Sequence, residues 1–457
     1  MSVPEIDQQI GIRTYATKTS GIGGILKNES DDFVVEEVLI DGSVASTKSF
    51  ETKPVLSASK KKKRFLLSIL VKRNWDTFIA LKKLAKELDI EQSWIQIAGI
   101  KDAKAVTAQH ITIEGIAEEE ISKIKIRDVK LRPIGYFHEP MCSFYLLGND
   151  FTIKVKRINN SKQETGELFS CFAREIEKIG GIPNFYGYQR FGSTRPITHF
   201  VGKAMVKGNL EEAAMLFLAN PSKNEHPGSR QARAQLQANQ NFAEASKNFP
   251  TQLRFERMML HHLAAAPDDF QGAFRCLPPK LRLLFVHAWQ SYLFNRFLSS
   301  RIENGLSFKR VEIGDLVVSV ERSGLPLNQT AKIVDSTILS QVNDSIDAGK
   351  MRVVLPLVGF KQRLSEGVMG ELEKKILEDE EVDMRRFRVT FMTELGVKGG
   401  LRAAISPVSH LETKGLSDAV NTNQTQLLLK FRLLRGSYAT TFLRELVKPK
   451  DLIKSGF

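Results

Sequence analysis

Three stretches of this sequence carry side chains whose types and order could do chemistry. The first is Gly99-Ile100-Lys101-Asp102-Ala103-Lys104-Ala105-Val106-Thr107-Ala108-Gln109. A glycine turn here presents one carboxylate, Asp102, beside a lysine. A loop-borne acid on a strand scaffold is a common way to offer a catalytic group, and a nearby cation favours its charged form. Alone, the pattern fits an acid closing a hairpin turn better than a catalytic group. The second stretch is Ile182-Pro183-Asn184-Phe185-Tyr186-Gly187-Tyr188-Gln189-Arg190-Phe191-Gly192. Rings, amides and a guanidinium in one loop suit an unstacked nucleobase: rings stack on it, amides read its edge, arginine meets phosphate. The plain alternative is an aromatic loop packed on a core. The third is Arg435-Gly436-Ser437-Tyr438-Ala439-Thr440-Thr441-Phe442-Leu443-Arg444-Glu445, a turn running into an amphipathic helix with Ser437 placed to cap it. His261-His262 offers no rival chemistry, because no partner stands at ligand spacing.

These stretches need elements to hold them. The apolar run Phe65–Val71 reads as a buried strand. A helix follows, with Asn74 as N-cap, Phe78, Leu81, Leu84, Ala85 and Leu88 inside, and Lys82, Lys83 and Lys86 outside. Strands over Trp94–Ala98 and Thr107–Ile113 bracket Asp102. Glu164–Ile179 is a helix, stopped by Gly180-Gly181 and Pro183 just before the aromatic stretch. Residues 203–305 read as mostly helical, most strongly over Pro279–Ile302. Strands return at Asp315–Val320, Met351–Leu357, Phe387–Phe391 and Gln426–Leu434, the last delivering the third stretch. This order, strand-rich then helical then strand-rich, predicts an α+β fold rather than alternating βαβ units. It leaves room for a core interrupted by an inserted domain.

The 457 residues suffice for two or three domains. At 42% hydrophobic and 26% charged, the composition excludes a disordered chain. Cys142, Cys171 and Cys276 are scattered without a C-x-x-C pair, which excludes a disulfide scaffold or zinc ribbon and fits a reducing compartment. No apolar run approaches the roughly 20 residues of a membrane span. A cytosolic protein without metal is expected. The net charge is +14. Residues 60–86 alone carry +9, ten Lys/Arg against Asp76, whereas 191–400 carry only +5. A basic stripe of this kind is the footprint of a surface that tracks phosphates; the plain alternative is a lysine-rich loop over Lys60–Arg64 and the solvated face of a helix.

Together the three stretches resemble the signature blocks of one family. Gly-x-Lys-Asp-x-x-Ala-x-Thr-x-Gln, Asn-aromatic-aromatic-Gly-x-Gln-Arg-Phe-Gly and Gly-Ser-Tyr-Ala-Thr-x-x-Leu-Arg-Glu occur in that order in the TruD family of pseudouridine synthases. Lesser matches are Asp32-Phe33-Val34-Val35-Glu36-Glu37, Leu147-Gly148-Asn149-Asp150-Phe151, Trp289-Gln290-Ser291-Tyr292-Leu293-Phe294-Asn295 and Leu357-Val358-Gly359-Phe360. The resemblance implies an α+β fold with a mixed, largely antiparallel sheet core of pseudouridine synthase type. That core, over 1–195 and 401–457, would be interrupted by an inserted α/β TRUD domain over 196–400. It implies a cofactor-free isomerase, a cytoplasmic monomer, that turns uridine into pseudouridine at position 13 of tRNA. By the same resemblance Asp102 is the essential carboxylate and Tyr186 the stacking aromatic. Arg444 is the expected cation beside Asp102, and Lys101, Asn184, Gln189 and Arg190 are expected to bind substrate. The family usually carries Asn-Tyr-Phe-Gly, whereas this chain reads Asn184-Phe185-Tyr186-Gly187. The alternative is a relative without catalysis, an RNA-binding protein or tRNA chaperone. Asp102, which such a relative need not keep, favours the enzyme.

Overall fold

The computed structural model describes residues 2–48, 55–417 and 424–457. Strands β1 (Phe33–Leu39), β2 (Phe65–Arg73), β3 (Ile95–Ile97), β4 (Val106–Glu114), β5 (Val129–Phe137) and β6 (Leu146–Ile158) come first. After the short β7 (Ile182–Pro183) come β8 (Leu316–Val320), β9 (Pro326–Ile333), β10 (Met351–Leu357) and β11 (Gly400–Ala403). The last are β12 (Ile405–Ser406), β13 (Val408–Ser417) and β14 (Thr425–Leu434). The central sheet runs β13-β14-β6-β1-β4-β2-β5, with β3 beside β4. Its pairings are antiparallel except that of β1 with β4. A second sheet, β11-β10-β8-β9, lies between β6 and β13 in sequence. The fold is thus α+β with a mixed, largely antiparallel central sheet.

The strands that carry the site are buried on both faces. β2 and β4 bury Ser68, Lys72, Thr107, Gln109, His110 and Thr112 along with their apolar residues. Buried polar groups require partners, and Lys72 and Gln109 find theirs in the loop leading into β4. Next to the opposite edge strand, β14 alternates, turning Leu427, Leu429, Phe431 and Leu433 inward. Phe431 stacks on Phe442 of the terminal helix Ala439–Val447 at 4.2 Å. The aromatic stretch sits at a seam. Phe185, Tyr186, Tyr188 and Phe191 belong to the large core of the helical region and second sheet, apart from the core under the central sheet.

Helix Lys162–Ile179 begins two residues before the expected start. Ser161 and Glu164 form a capping box, and Gly180 ends the helix at φ 95°. The helix after β2 is capped by Asp76, not Asn74, because the Asp76 carboxylate accepts from the N–H groups of Phe78 and Ile79. Its inner face starts at Thr77 and continues through Leu81 and Leu84, so Phe78, one residue off that register, is exposed. No strand forms at Phe387–Phe391. A 3-10 turn over Met384–Arg388 occupies part of it, and Val389, at φ 46°, breaks the extended path. Ser437 does not cap the terminal helix; Tyr438 holds that position, and the Ser437 hydroxyl pairs with Ser406 Oγ at 2.7 Å.

The basic stripe is also not one surface. Lys72 is fully buried, Arg64 pairs with Glu114 and Lys83 with Glu87. Lys60–Arg64 adjoins the Phe65 end of β2, whereas Asp102 lies near the Arg73 end, where Arg73 faces Val106. Eight residues of strand, roughly 27 Å, separate the two ends.

Candidate active site

The loop 99–105 is fixed mostly through its main chain. Gln109 Nε2 donates to Gly99 O at 3.1 Å. Thr77 Oγ1 donates to Lys101 O at 3.0 Å and accepts from Lys101 N at 3.2 Å. Lys72 Nζ donates to Asp102 O at 2.7 Å and to Trp75 O at 2.8 Å. With the backbone held this way, the Asp102 side chain stays partly exposed and available. Its Oδ1 accepts from Gln189 Nε2 at 2.7 Å. Lys27 Nζ lies 3.7 Å from the same oxygen and 4.3 Å from the Phe33 ring centroid. The result is a carboxylate oriented by an amide from the aromatic stretch and faced by an ammonium from the segment before β1.

Lys72 works from beneath. Burial pushes its ammonium down to about 8, against the pull of Asp102 and Asp76 and with the help of Lys101. The folded value lies below the unfolded one, so between about pH 8 and the ordinary lysine value the unfolded chain holds more protons. Stability contributed through this group therefore rises with pH across that window. The Tm gap between wild type and Lys72→Met is expected to widen from pH 7.5 to pH 9.5, measured by thermal melts. A constant gap would contradict the buried-ammonium assignment.

Two expected site residues point elsewhere. Lys101 is buried and turned inward, 2.7 Å from Glu37 Oε2 and 2.8 Å from Asn149 Oδ1. Although burial alone would raise it, Glu37 is held below the usual carboxylate range by Lys101 and His110. Lys101 thus anchors the loop. Arg444 is not the cation beside Asp102. Its guanidinium is buried against Asp7 (Nε to Oδ2, 2.6 Å), Glu445 (Nη1 to Oε1, 2.9 Å) and Thr14 O (3.0 Å). Tyr188 OH donates to Asp7 Oδ1 at 2.7 Å in the same cluster. Burial works against the Arg444 charge, but Asp7 and Glu445 outweigh it and raise its pKa.

The aromatic stretch is braced from both sides. Asn184 Nδ2 donates to Ala403 O at 3.0 Å, and Asn184 Oδ1 accepts from Arg402 Nη2 at 2.7 Å. Asn184 therefore fixes its own loop against β11 and makes no bond to the Asp102 loop. Tyr186 N donates to Asn295 Oδ1 at 2.8 Å, and Asn295 Nδ2 returns a bond to Tyr186 O at 3.2 Å. The Tyr186 ring is 8% exposed. Arg402 lies 4.0 Å and Arg190 5.3 Å from its centroid. Lys27, Lys72, Arg402 and Asn295 were absent from the sequence-based site, and of these only Asn295 lay in a recognisable block.

Comparison with known proteins gives the arrangement a family. Residues 9–446 match the family model described as tRNA pseudouridine synthase D (TruD). The chain belongs to the TruD family. It is similar to the "Probable tRNA pseudouridine synthase D" of Methanosarcina acetivorans, 40% identical over 452 residues and 99% of each chain. The counterpart of that name in Pyrococcus abyssi is 36% identical, over 95% of this chain and 98% of its own. The crystal structure of the "Putative tRNA pseudouridine synthase D (TruD)" from Methanosarcina mazei matches with a TM-score of 0.83 at 37% identity, covering 98% of this chain and 99% of that one. TruD proteins are isomerases acting on RNA, and this chain is an enzyme of that class. The lesser TruD blocks now have physical reasons. Asn149 receives Lys101, while a Cβ on Gly148 would stand 2.1 Å from Leu433 O on the neighbouring strand. Asn295 holds the Tyr186 backbone, and Gln290 donates to Val358 O in the Leu357-Val358-Gly359-Phe360 block.

Proposed function

We propose that this chain isomerises uridine to pseudouridine in tRNA, at position 13, in the cytoplasm, with Asp102 as the essential carboxylate. The observation that carries this reading is the setting of Asp102: an accessible carboxylate on a pinned loop, bonded by Gln189 and faced by Lys27. The names of the relatives supply the substrate class. In the reaction the C1′–N1 bond of uridine breaks, the uracil turns, and a C1′–C5 bond forms. C5 loses its proton and N1 gains one, so nothing is oxidised or reduced. Gln189 orients the acid, while Lys27 keeps a positive charge against it. Arg190 and Arg402 flank Tyr186, whose ring offers the base a stacking surface once a guanidinium gives way. Mapping pseudouridine in tRNA from cells with and without the protein tests the reading. Loss of the position-13 mark is expected on deletion, and an unchanged map would remove it.

Stacking and hydrogen bonding by Tyr186 separate in two variants. Tyr186→Ala is expected to lower kcat/KM about 5- to 150-fold, the ~1–3 kcal/mol of one stacked base. Tyr186→Phe should stay within about threefold of wild type. Equal losses in steady-state assays would point to an essential hydroxyl instead.

A further inference from the structure

A cavity of about 180 Å³ opens where the second sheet meets the central one. Three arginines line it: Arg352 on β10, Arg402 on β11 and Arg435 after β14. Asn184, Tyr186, Ser406 and Ser437 supply the rest of its polar and aromatic wall, eight apolar or proline residues line the remainder, and none of its 15 lining residues is acidic. Among the described residues none of the three guanidiniums forms an ion pair; their bonds go to neutral oxygens. Arg352 Nη1 donates to Gly324 O and Arg402 Nη2 to Gly436 O, each at 2.7 Å, and Arg435 Nη1 donates to Ser143 O. Arg352 is half-buried, and burial lowers its pKa. Three guanidiniums without a carboxylate among them leave this cavity net positive, and a phosphate would supply the missing counter-charge. The guanidinium fork matches phosphate oxygens two at a time.

We propose that this cavity binds a phosphodiester of the substrate RNA, gripped by Arg352 and Arg402 from one sheet and Arg435 from the other. The phosphate lies close to the target nucleotide, because Tyr186 lines the cavity and Gln189, three residues on, bonds Asp102. Bulk charge in the region 191–400 is low, and of the three arginines that region contributes Arg352 alone, Arg402 and Arg435 coming from the segment after it. The proposal rests on RNA being the substrate, as argued above. Arg402 also braces Asn184, so the test uses the other two.

The double variant Arg352→Gln/Arg435→Gln is to be compared with wild type in binding a tRNA transcript from 50 to 300 mM KCl. Affinity at 150 mM is expected to fall about tenfold. The slope of log K against log[salt] should flatten by about 0.7–0.9, the share of one phosphate. Thermal melting controls for folding, and Arg435→Gln alone, at an exposed position, gives a fallback with a smaller change in the same direction. Unchanged affinity and slope in a folded variant would overturn the proposal. A second arm adds inorganic phosphate. If it stabilises wild type and not the variant while tRNA binding is unaltered, the cavity takes only a free anion and the RNA proposal falls. If the slope flattens although wild type forms no pseudouridine, the phosphate site stands and the isomerase reading fails.

Discussion

Asp102→Asn is expected to lower tritium release from 5-tritiated uridine in tRNA at least about a thousandfold, while tRNA affinity stays within about twofold. The substitution keeps the shape of the side chain. An amide oxygen can still accept from Gln189, and the Lys72 bond is to the Asp102 main chain, so the loop stays in place. What disappears is the charge, faced by Lys27 at 3.7 Å in wild type. A thousandfold is about 4 kcal/mol of transition-state stabilisation, a loss suited to a group acting on the reacting atoms rather than on binding. Affinity should persist because RNA is held mainly through phosphates. Substantial residual release in a well-folded variant would take the essential role from Asp102.

Arg444→Met is expected to cost about 3–5 kcal/mol of stability, the usual consequence of leaving buried charge without its partner. Asp7 and Glu445 would remain as carboxylates in a dry cluster, with only Tyr188, Thr17 and the main chain to satisfy them. Burial already raises Glu445 despite Arg444. Without the guanidinium, Glu445, already raised by burial, would bind a proton still more readily folded than unfolded, so stability would fall as pH rises. The loss in Tm should therefore be smaller at pH 5 than at pH 8. Turnover of the folded fraction should remain near wild type, because Arg444 touches neither Asp102 nor Tyr186. A stable but inactive variant would return Arg444 to the chemistry.

The site was legible where its signals are local. Gly99 and the strand after it mark the Asp102 loop, and the double glycine and proline around 180–183 mark the start of the aromatic stretch. Residues brought in by topology were not. Lys27 is a lone lysine 75 positions before Asp102, and it reaches that acid because β1 lies parallel beside β4, a pairing that no periodicity reveals. Lys72 was read as part of a solvent-facing stripe. In a strand buried on both faces, alternation does not say which side chains are exposed, and Lys72 turns inward to a carbonyl. Arg444 shows the opposite error. Shared membership of a block suggested a shared site, yet its helix turns the guanidinium toward the amino-terminal segment. The expected strand at Phe387–Phe391 failed because Phe387 and Val389, both buried, fill a core from an irregular chain path.

The pairing of β6 with β14 also sets an order of events at the ribosome. Ile158 faces Thr425, a partner 267 positions later in synthesis. At about 5–20 residues per second, that edge of the central sheet waits roughly 13–53 s for its neighbour. During the wait β6 is an open template for any passing strand. The second sheet, complete by Ala403, exists before β14 is made. The late arrival of β14 therefore makes the β6 edge the part of the central sheet longest open to mispairing during synthesis.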